Sequence, residues 1–272
     1  MKGRLAGWVA AAVVVFSLLP GTASGQAGGA QAVPRAPDGR PDLSGIWQVM
    51  NNAAWNIQDQ NAEPGTREAP WRGIPASRGV VEGNDIPYQP WARAKKDENY
   101  KNRLTLDPES NCYLPGVPRV TYMPFPFQVI QTPTYIGILY EYVHAIRHVF
   151  LDGSPHPEGA IEWWMGDSRA RWDGDTLVVS VKHFNADTWF DRAGNFHSEN
   201  MQLTERYTFV DRDTINYEAT VDDPKVFTRP WKMSMLFYRR KEPNVQLLEY
   251  ACYGFDGVAV GTRAKDRIAP GR

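Results

Sequence analysis

From Val129 to Arg239 the chain runs in short β-branched and aromatic stretches, each closed by a turn signal, and this texture constrains the fold more than any other feature. Stretches of this kind at hairpin spacing build an antiparallel meander. Ile136 to Val143 is followed by a partner stretch, His144 to Leu151. Arg169 to Trp172 and Asp175 to Val179 flank Asp173-Gly174, where glycine supplies the positive φ of a tight hairpin turn. Thr204 to Val210 and Ile215 to Val221 flank Asp211-Arg212-Asp213. Met233 to Arg239 with Val245 to Tyr253 reads as a late hairpin, Gly257 to Thr262 as a closing strand, and Leu43 to Val49 as the first strand. No fixed-period repeat is present, which argues against a propeller or solenoid. A closed barrel fits, because closure removes exposed strand edges. The expected fold is mostly β: an antiparallel barrel of roughly nine or ten strands.

Period-2 alternation assigns faces. Tyr207 and Phe209 share a face with Glu205; Leu177, Val179 and Val181 share one that runs on to His183. Leu139 and Val143 accompany Glu141, and Ala145, Val149 and Leu151 accompany Arg147. Val245, Leu247, Ala251 and Tyr253 accompany Glu249. Each of these strands places one ionisable group on an apolar face, and a buried charge needs a partner. The expectation is a polar cluster of Glu141, Arg147, His183, Glu205 and Glu249 in or at the mouth of a barrel lined by Trp and Tyr. The same groups also fit a structural ion-pair network.

The N-terminus sets the compartment. Lys2 and Arg4 precede an apolar stretch, Leu5 to Leu19, which Pro20 and small residues end. That is the layout of a cleavable secretory signal over residues 1–25, and the stretch is shorter than the roughly 20 apolar residues that span a bilayer. Residues 26–42, rich in Gly, Ala, Gln and Pro, read as a flexible linker, and residues 43–268 as a single barrel domain with an inserted loop and helix over 50–104. Pro90 to Tyr100 is the one expected helix, with Pro at its start and outward charges. Within the long polar loop before it, Trp55 and Trp71 are candidate anchors. The implied location is periplasmic or secreted, with no membrane anchor after cleavage. In an oxidising compartment the only two cysteines, Cys112 and Cys252, are disulfide candidates.

Charge and motifs exclude several function classes. Removing Lys2 and Arg4 from the 30 basic residues leaves 28 against 31 acidic ones, with no basic block, so a nucleic acid partner is not expected. No phosphate loop or dinucleotide fingerprint is present, and no cofactor is expected. The five histidines lack zinc-ligand spacing, so no metal site is expected. No Gly-x-Ser-x-Gly elbow is present. His197-Ser198-Glu199 in a loop is a candidate acid/base, with Asp187 and Asp191 as possible ring partners, or a loop-fixing group.

Gly45-Ile46-Trp47 resembles the Gly-x-Trp signature of lipocalins and related calycin barrels, in which the Trp closes one barrel end against a late Arg. The resemblance implies a lipocalin-like barrel, with Arg263 or Arg267 as the partner. Over most of its length the chain also resembles a family of uncharacterised exported bacterial proteins. The residues that carry this resemblance are Pro41 to Trp47, Cys112 to Arg119, Trp172 to Val179, His197-Ser198-Glu199, Thr204 to Tyr207 and Asp223-Pro224. That resemblance implies export and a shared fold, and carries no mechanism.

The leading functional expectation is an exported barrel enclosing an apolar or aromatic small molecule, with Glu141, Glu249, Tyr207, Trp172, Trp189 and Trp231 as ligand contacts. A second is a cofactor-independent lyase, isomerase or hydrolase, with His183 or His197 as acid/base, Glu205 as its partner and Arg147 stabilising negative charge. A third is an envelope interaction module using the long loop.

Overall fold

In the computed structural model, which describes residues 32–67, 70 and 73–252, the alternating stretches form nine strands. These are β1 (Gly45–Val49), β2 (Phe127–Gln131), β3 (Tyr135–Tyr140), β4 (Ile146–Phe150), β5 (Asp167–Asp173), β6 (Thr176–Lys182), β7 (Gln202–Asp211), β8 (Thr214–Asp222) and β9 (Trp231–Arg239). Strand β1 pairs with both β2 and β9, so the sheet closes into a barrel in sequence order. All strand pairings are antiparallel except one: β4 and β5 run parallel, and the chain crosses between them over residues 151–166. A tight turn joins only antiparallel neighbours, so this seam needs the longer connection.

The late strand expected over Val245 to Tyr253 does not form. β9 is already paired on one side by β8 and on the other by β1, so no edge remains for it. Residues 240–252 run outside the sheet; Arg240 N still donates to Ile46 O of β1 at 2.8 Å, and Tyr250 bridges to Tyr142 just beyond β3. The stretch Gly257 to Thr262 lies outside the described residues.

Alternation holds on β6 to β9. Leu177, Val179 and Val181 face inward, as do Leu203, Glu205 and Tyr207, then Ile215, Tyr217, Ala219 and Val221, then Met233, Met235 and Phe237. On β3 the inward row is Ile136, Ile138 and Tyr140, opposite to the face assigned from Leu139. Both rows of that stretch are apolar, so hydropathy alone carries no parity there.

The two barrel ends differ. At one lie the β5–β6 turn around Gly174, whose φ is +58, and the short β7–β8 turn. The other is capped by residues 50–126, which carry α1 (Pro90–Lys101) and α2 (Arg103–Leu106). The cap buries Ala53, Ile57, Val81, Ile86, Tyr88 and Ala92, and it bridges to the barrel side at Val81–Met233 and Tyr88–Phe227. The long polar loop is thus a cover that extends beyond the expected insertion. Trp55 anchors it beneath the Arg192 guanidinium, 4.2 Å from the ring, whereas Trp71 lies outside the described residues.

Cys112 and Cys252 form the expected disulfide, with Cα atoms 5.4 Å apart, tying the C-terminal run to the cap. Of the expected linker, residues 34–42 form a hydrogen-bonded turn, and Arg35 reaches both carboxylate oxygens of Asp175 at 2.7 and 2.6 Å. The expected signal, residues 1–25, lies outside the described residues. Among the described residues no helix is long and apolar enough to cross a membrane.

Candidate functional site

Several groups of polar side chains stand out, and the first is the one expected from strand parity. Inside the barrel, inward-facing Arg147 on β4 meets inward-facing Glu205 on β7. The Arg147 Nη1 donates to Glu205 Oε1 at 3.1 Å, and Nη2 donates to Oε2 in a still shorter contact. Arg147 Nε donates to Ser168 Oγ at 3.0 Å. Tyr217 and Tyr207 donate their hydroxyls to Glu205 Oε1 at 2.8 and 3.1 Å. Both charged groups are at most 1 % exposed. Burial would favour a neutral Arg147, but the facing Glu205 more than offsets this and keeps the guanidinium firmly protonated. Burial, followed by the Glu205 charge, pushes both phenols well above their ordinary range. Both oxygens of Glu205 are occupied by hydrogen-bond donors from inside the barrel wall.

Beside this floor, toward the hairpin end, lies a cavity of about 20 Å³ lined by Trp47, Phe127, Val129, Ile138, Tyr207 and Phe237 among other mostly apolar side chains. That is room for about one water. Trp47 forms one wall. Its Nε1 donates to Leu43 O at 2.8 Å, and Arg239 at the end of β9 lies over its ring at 4.2 Å while donating to Ser44 O at 2.7 Å. Gly45, at φ +130, sits where a Cβ would overlap the Arg239 guanidinium. The Gly-x-Trp pattern thus has a local reason: the glycine leaves the path open for the cation. Arg263 and Arg267, the expected partners of Trp47, lie outside the described residues; among the described residues Arg239 lies over its ring.

The other predicted site residues scatter. Strand β6 ends at Lys182, and His183 takes a positive φ of 61, so its ring leaves the inward row and packs 5.9 Å from Trp163. His197 is buried in the loop after β6. Its Nδ1 donates to Ser198 O at 2.9 Å, which leaves Nε2 to accept from Thr188 Oγ1 at 2.6 Å. Burial holds it below its ordinary value, so it is neutral and closed off. Neither Asp187 nor Asp191 is its partner: Asp191 accepts from Ile57 N and from Asn195 N and Nδ2 at 2.8, 3.2 and 2.6 Å. Neither histidine bonds to Glu205 or Arg147, so the expected His–Glu–Arg cluster does not assemble.

Glu141 lies beyond the end of β3 and accepts from Leu248 N at 2.8 Å, outside the lumen. Glu249 is exposed, because its expected strand does not form. Trp231 faces the capped end, packed against Phe190 and Phe227 at 5.3 and 5.5 Å; Trp189 is buried in the neighbouring loop. Trp172 lies on an inward row at the hairpin end and is half-buried, with Phe209. Of the residues proposed for a barrel site, Arg147, Glu205 and Tyr207 come together and Trp172 stands above them.

Two further groups were missed. In the cap, buried Arg119 donates to Asp107 at 2.7 and 2.8 Å and to Glu109 at 2.6 Å, and Arg192 also holds Glu109 at 2.8 and 2.5 Å. Burial pushes the Glu109 carboxyl up, but Arg119 and Arg192 outweigh it and hold it below the ordinary range. These contacts come from turns in a loop without periodicity, so no sequence pattern announced them.

The last group lies on the outer wall. His156, in the β4–β5 crossover, has Nδ1 2.6 Å from Asp167 Oδ2 and Nε2 3.0 Å from Ser180 Oγ. Asp167 on β5 and Ser180 on β6 belong to outward rows, and Arg169 holds Asp167 through two bonds of 2.8 Å. The available signal was parity: the outward residues of β5 and β6 follow directly from their inward ones. Among the described residues no group of three or more His, Cys, Asp or Glu side chains is placed to hold a metal ion.

The fold and site define a closed nine-strand β-barrel with an internally satisfied charge floor and a Trp–Arg closure. Comparison of the chain with protein-family models, curated proteins and solved structures finds no match.

Proposed function

We propose that the protein is an exported, calycin-like β-barrel that takes an apolar or aromatic small molecule through its hairpin end. The observation that carries this reading is the unfilled space on the barrel axis, bounded almost wholly by apolar side chains and floored by phenols of the Arg147–Glu205 network. The Trp47–Arg239 closure supports the calycin resemblance. The disulfide supports an oxidising compartment, where such bonds persist.

The volume sets the mode of binding. Ligand pockets measure roughly 300–1,000 Å³, so a lumen with about 20 Å³ free must open to accept a ligand. Trp172 and Phe209, half-buried at the mouth, are the side chains whose outward swing makes room. Binding is then slow to start and weakened by the cost of opening. The test is titration with an environment-sensitive apolar dye and native mass spectrometry on Phe209→Ala and Trp172→Ala. Each truncation should tighten dye binding several-fold. Absence of any bound or bindable apolar molecule in wild type and in both variants would remove this reading.

A further inference from the structure

We propose that Ser180, His156 and Asp167 form an acyl-transfer site on the outer wall of the barrel, hydrolysing small esters with a flat aryl group. It is independent of any ligand in the lumen.

The spacing is that of a nucleophile, a base and an orienting carboxylate. Ser180 Oγ lies 3.0 Å from His156 Nε2, and His156 Nδ1 lies 2.6 Å from Asp167 Oδ2. The three come from different segments, and each is held. Ser180 and Asp167 stand on adjacent paired strands, with Arg169 facing Ser180 and Asp167 facing Lys182. The two bonds from Arg169 fix the Asp167 carboxylate. His156 sits between Pro155 and Pro157, which restrict the backbone on both sides. Such a carboxylate selects the tautomer with its proton on Nδ1, leaving Nε2 free to take the serine proton.

The electrostatics agree with the geometry. Burial, joined by the Lys182 and Arg169 charges, lowers the His156 pKa against the opposing pull of Asp167, so the imidazole is neutral near pH 7 and free to take a proton. Burial raises the Asp167 carboxyl, but Arg169 and His156 outweigh it and keep it ionised. The charged or titratable groups around His156 are Asp167, Arg169, Lys182 and His183. The site is reachable: the His156 side chain is 17 % exposed and Ser180 is half-buried. Lys182, two residues along the same outward row, brings positive charge for a developing oxyanion. The His183 ring lies 6.1 Å from His156 and 5.9 Å from Trp163, which is 38 % exposed. These rings offer a flat apolar surface, hence the aryl preference.

In the first step Ser180 Oγ bonds to the ester carbonyl carbon while its proton passes to His156 Nε2. Collapse breaks the carbon–oxygen bond to the leaving alcohol, which takes that proton. Water then attacks the acyl group, giving a proton to His156 that returns to Ser180 as the acid leaves.

The experiment treats the full-length protein with a fluorophosphonate and, separately, with p-nitrophenyl acetate. The expected result is a phosphonyl adduct mapped to Ser180, with fluoride released, and ester hydrolysis whose rate rises as His156 deprotonates below its ordinary value. Ser180→Ala should abolish both, and His156→Gln should slow labelling by roughly 10²–10³-fold. If the triple contact is only a clamp pinning the crossover, the folded wild-type protein gives no adduct at Ser180, and the proposal is overturned. Labelling of Ser180 at an unchanged rate in His156→Gln overturns it as well. Should Ser180→Ala fail to fold, adduct mapping and the pH profile of wild type still decide.

Discussion

Replacing Glu205 by Gln tests whether the barrel floor is structural. The substitution keeps the shape and removes the charge, leaving Arg147, 1 % exposed, without its counterion. Two phenols that donate to Glu205 Oε1 at 2.8 and 3.1 Å also lose a charged acceptor. Breaking a buried pair from one side costs about 3–5 kcal/mol, because the remaining charge stays desolvated. For a domain of this size a kcal/mol shifts the melting temperature by roughly 2–4 °C, so the expected drop is about 6 to 20 °C. The double change Arg147→Met with Glu205→Leu removes both charges, and it should recover most of that loss. Urea denaturation monitored by circular dichroism, with the disulfide intact, measures all three proteins. A single variant within about 1 kcal/mol of wild type would refute the view that this pair is sealed from water. A double variant less stable than Glu205→Gln would instead assign the loss to packing.

Further outcomes follow from other parts of the structure. Reducing the Cys112–Cys252 bond, whose cysteines are 140 residues apart, should lower stability by about 5 kcal/mol in the chain-entropy model, read as a shift in urea midpoint with and without reductant. Burial pushes the Asp191 carboxyl up to about 6, with the bonds from Asn195 and Ile57 only partly offsetting it. A folded pKa above the unfolded one means that its contribution to stability is full below about pH 4 and is lost as pH rises through 6, a change of about 3 kcal/mol. Carbon-detected NMR of Asp191 should show a midpoint near 6, and titration near 4 would contradict the assignment. Arg239→Met should cost about 1–2 kcal/mol through loss of the ring contact and the bond to Ser44, whereas Arg229→Met, which breaks a pair exposed by about 60 % on each side, should cost under about 0.5 kcal/mol by thermal melt.

Much of the barrel was legible in the sequence because period-2 alternation is a local property. On β6 to β8, Val181, Tyr207 and Tyr217 declare their face through the polar residues on either side of them, and burial follows that pattern. Alternation also delivered Arg147 and Glu205 as inward charges that need each other, and two lone cysteines in a chain read as exported implied their bridge. Where both rows are apolar, as in Ile136 to Tyr140, the local signal vanished and the face was misassigned.

Tertiary structure alone decided the rest, since the deciding quantity was which edge or segment was free. β1 took the edge of β9, so the expected late strand had no partner and Glu249 went to solvent. A positive φ at His183 turned its ring away from the lumen. The parallel seam between β4 and β5 sent the crossover over the outer wall and laid His156 on Asp167 and Ser180, residues far enough apart in sequence that no spacing rule joins them. Partnership between distant segments is set by chain closure and packing, and a linear pattern holds no record of it.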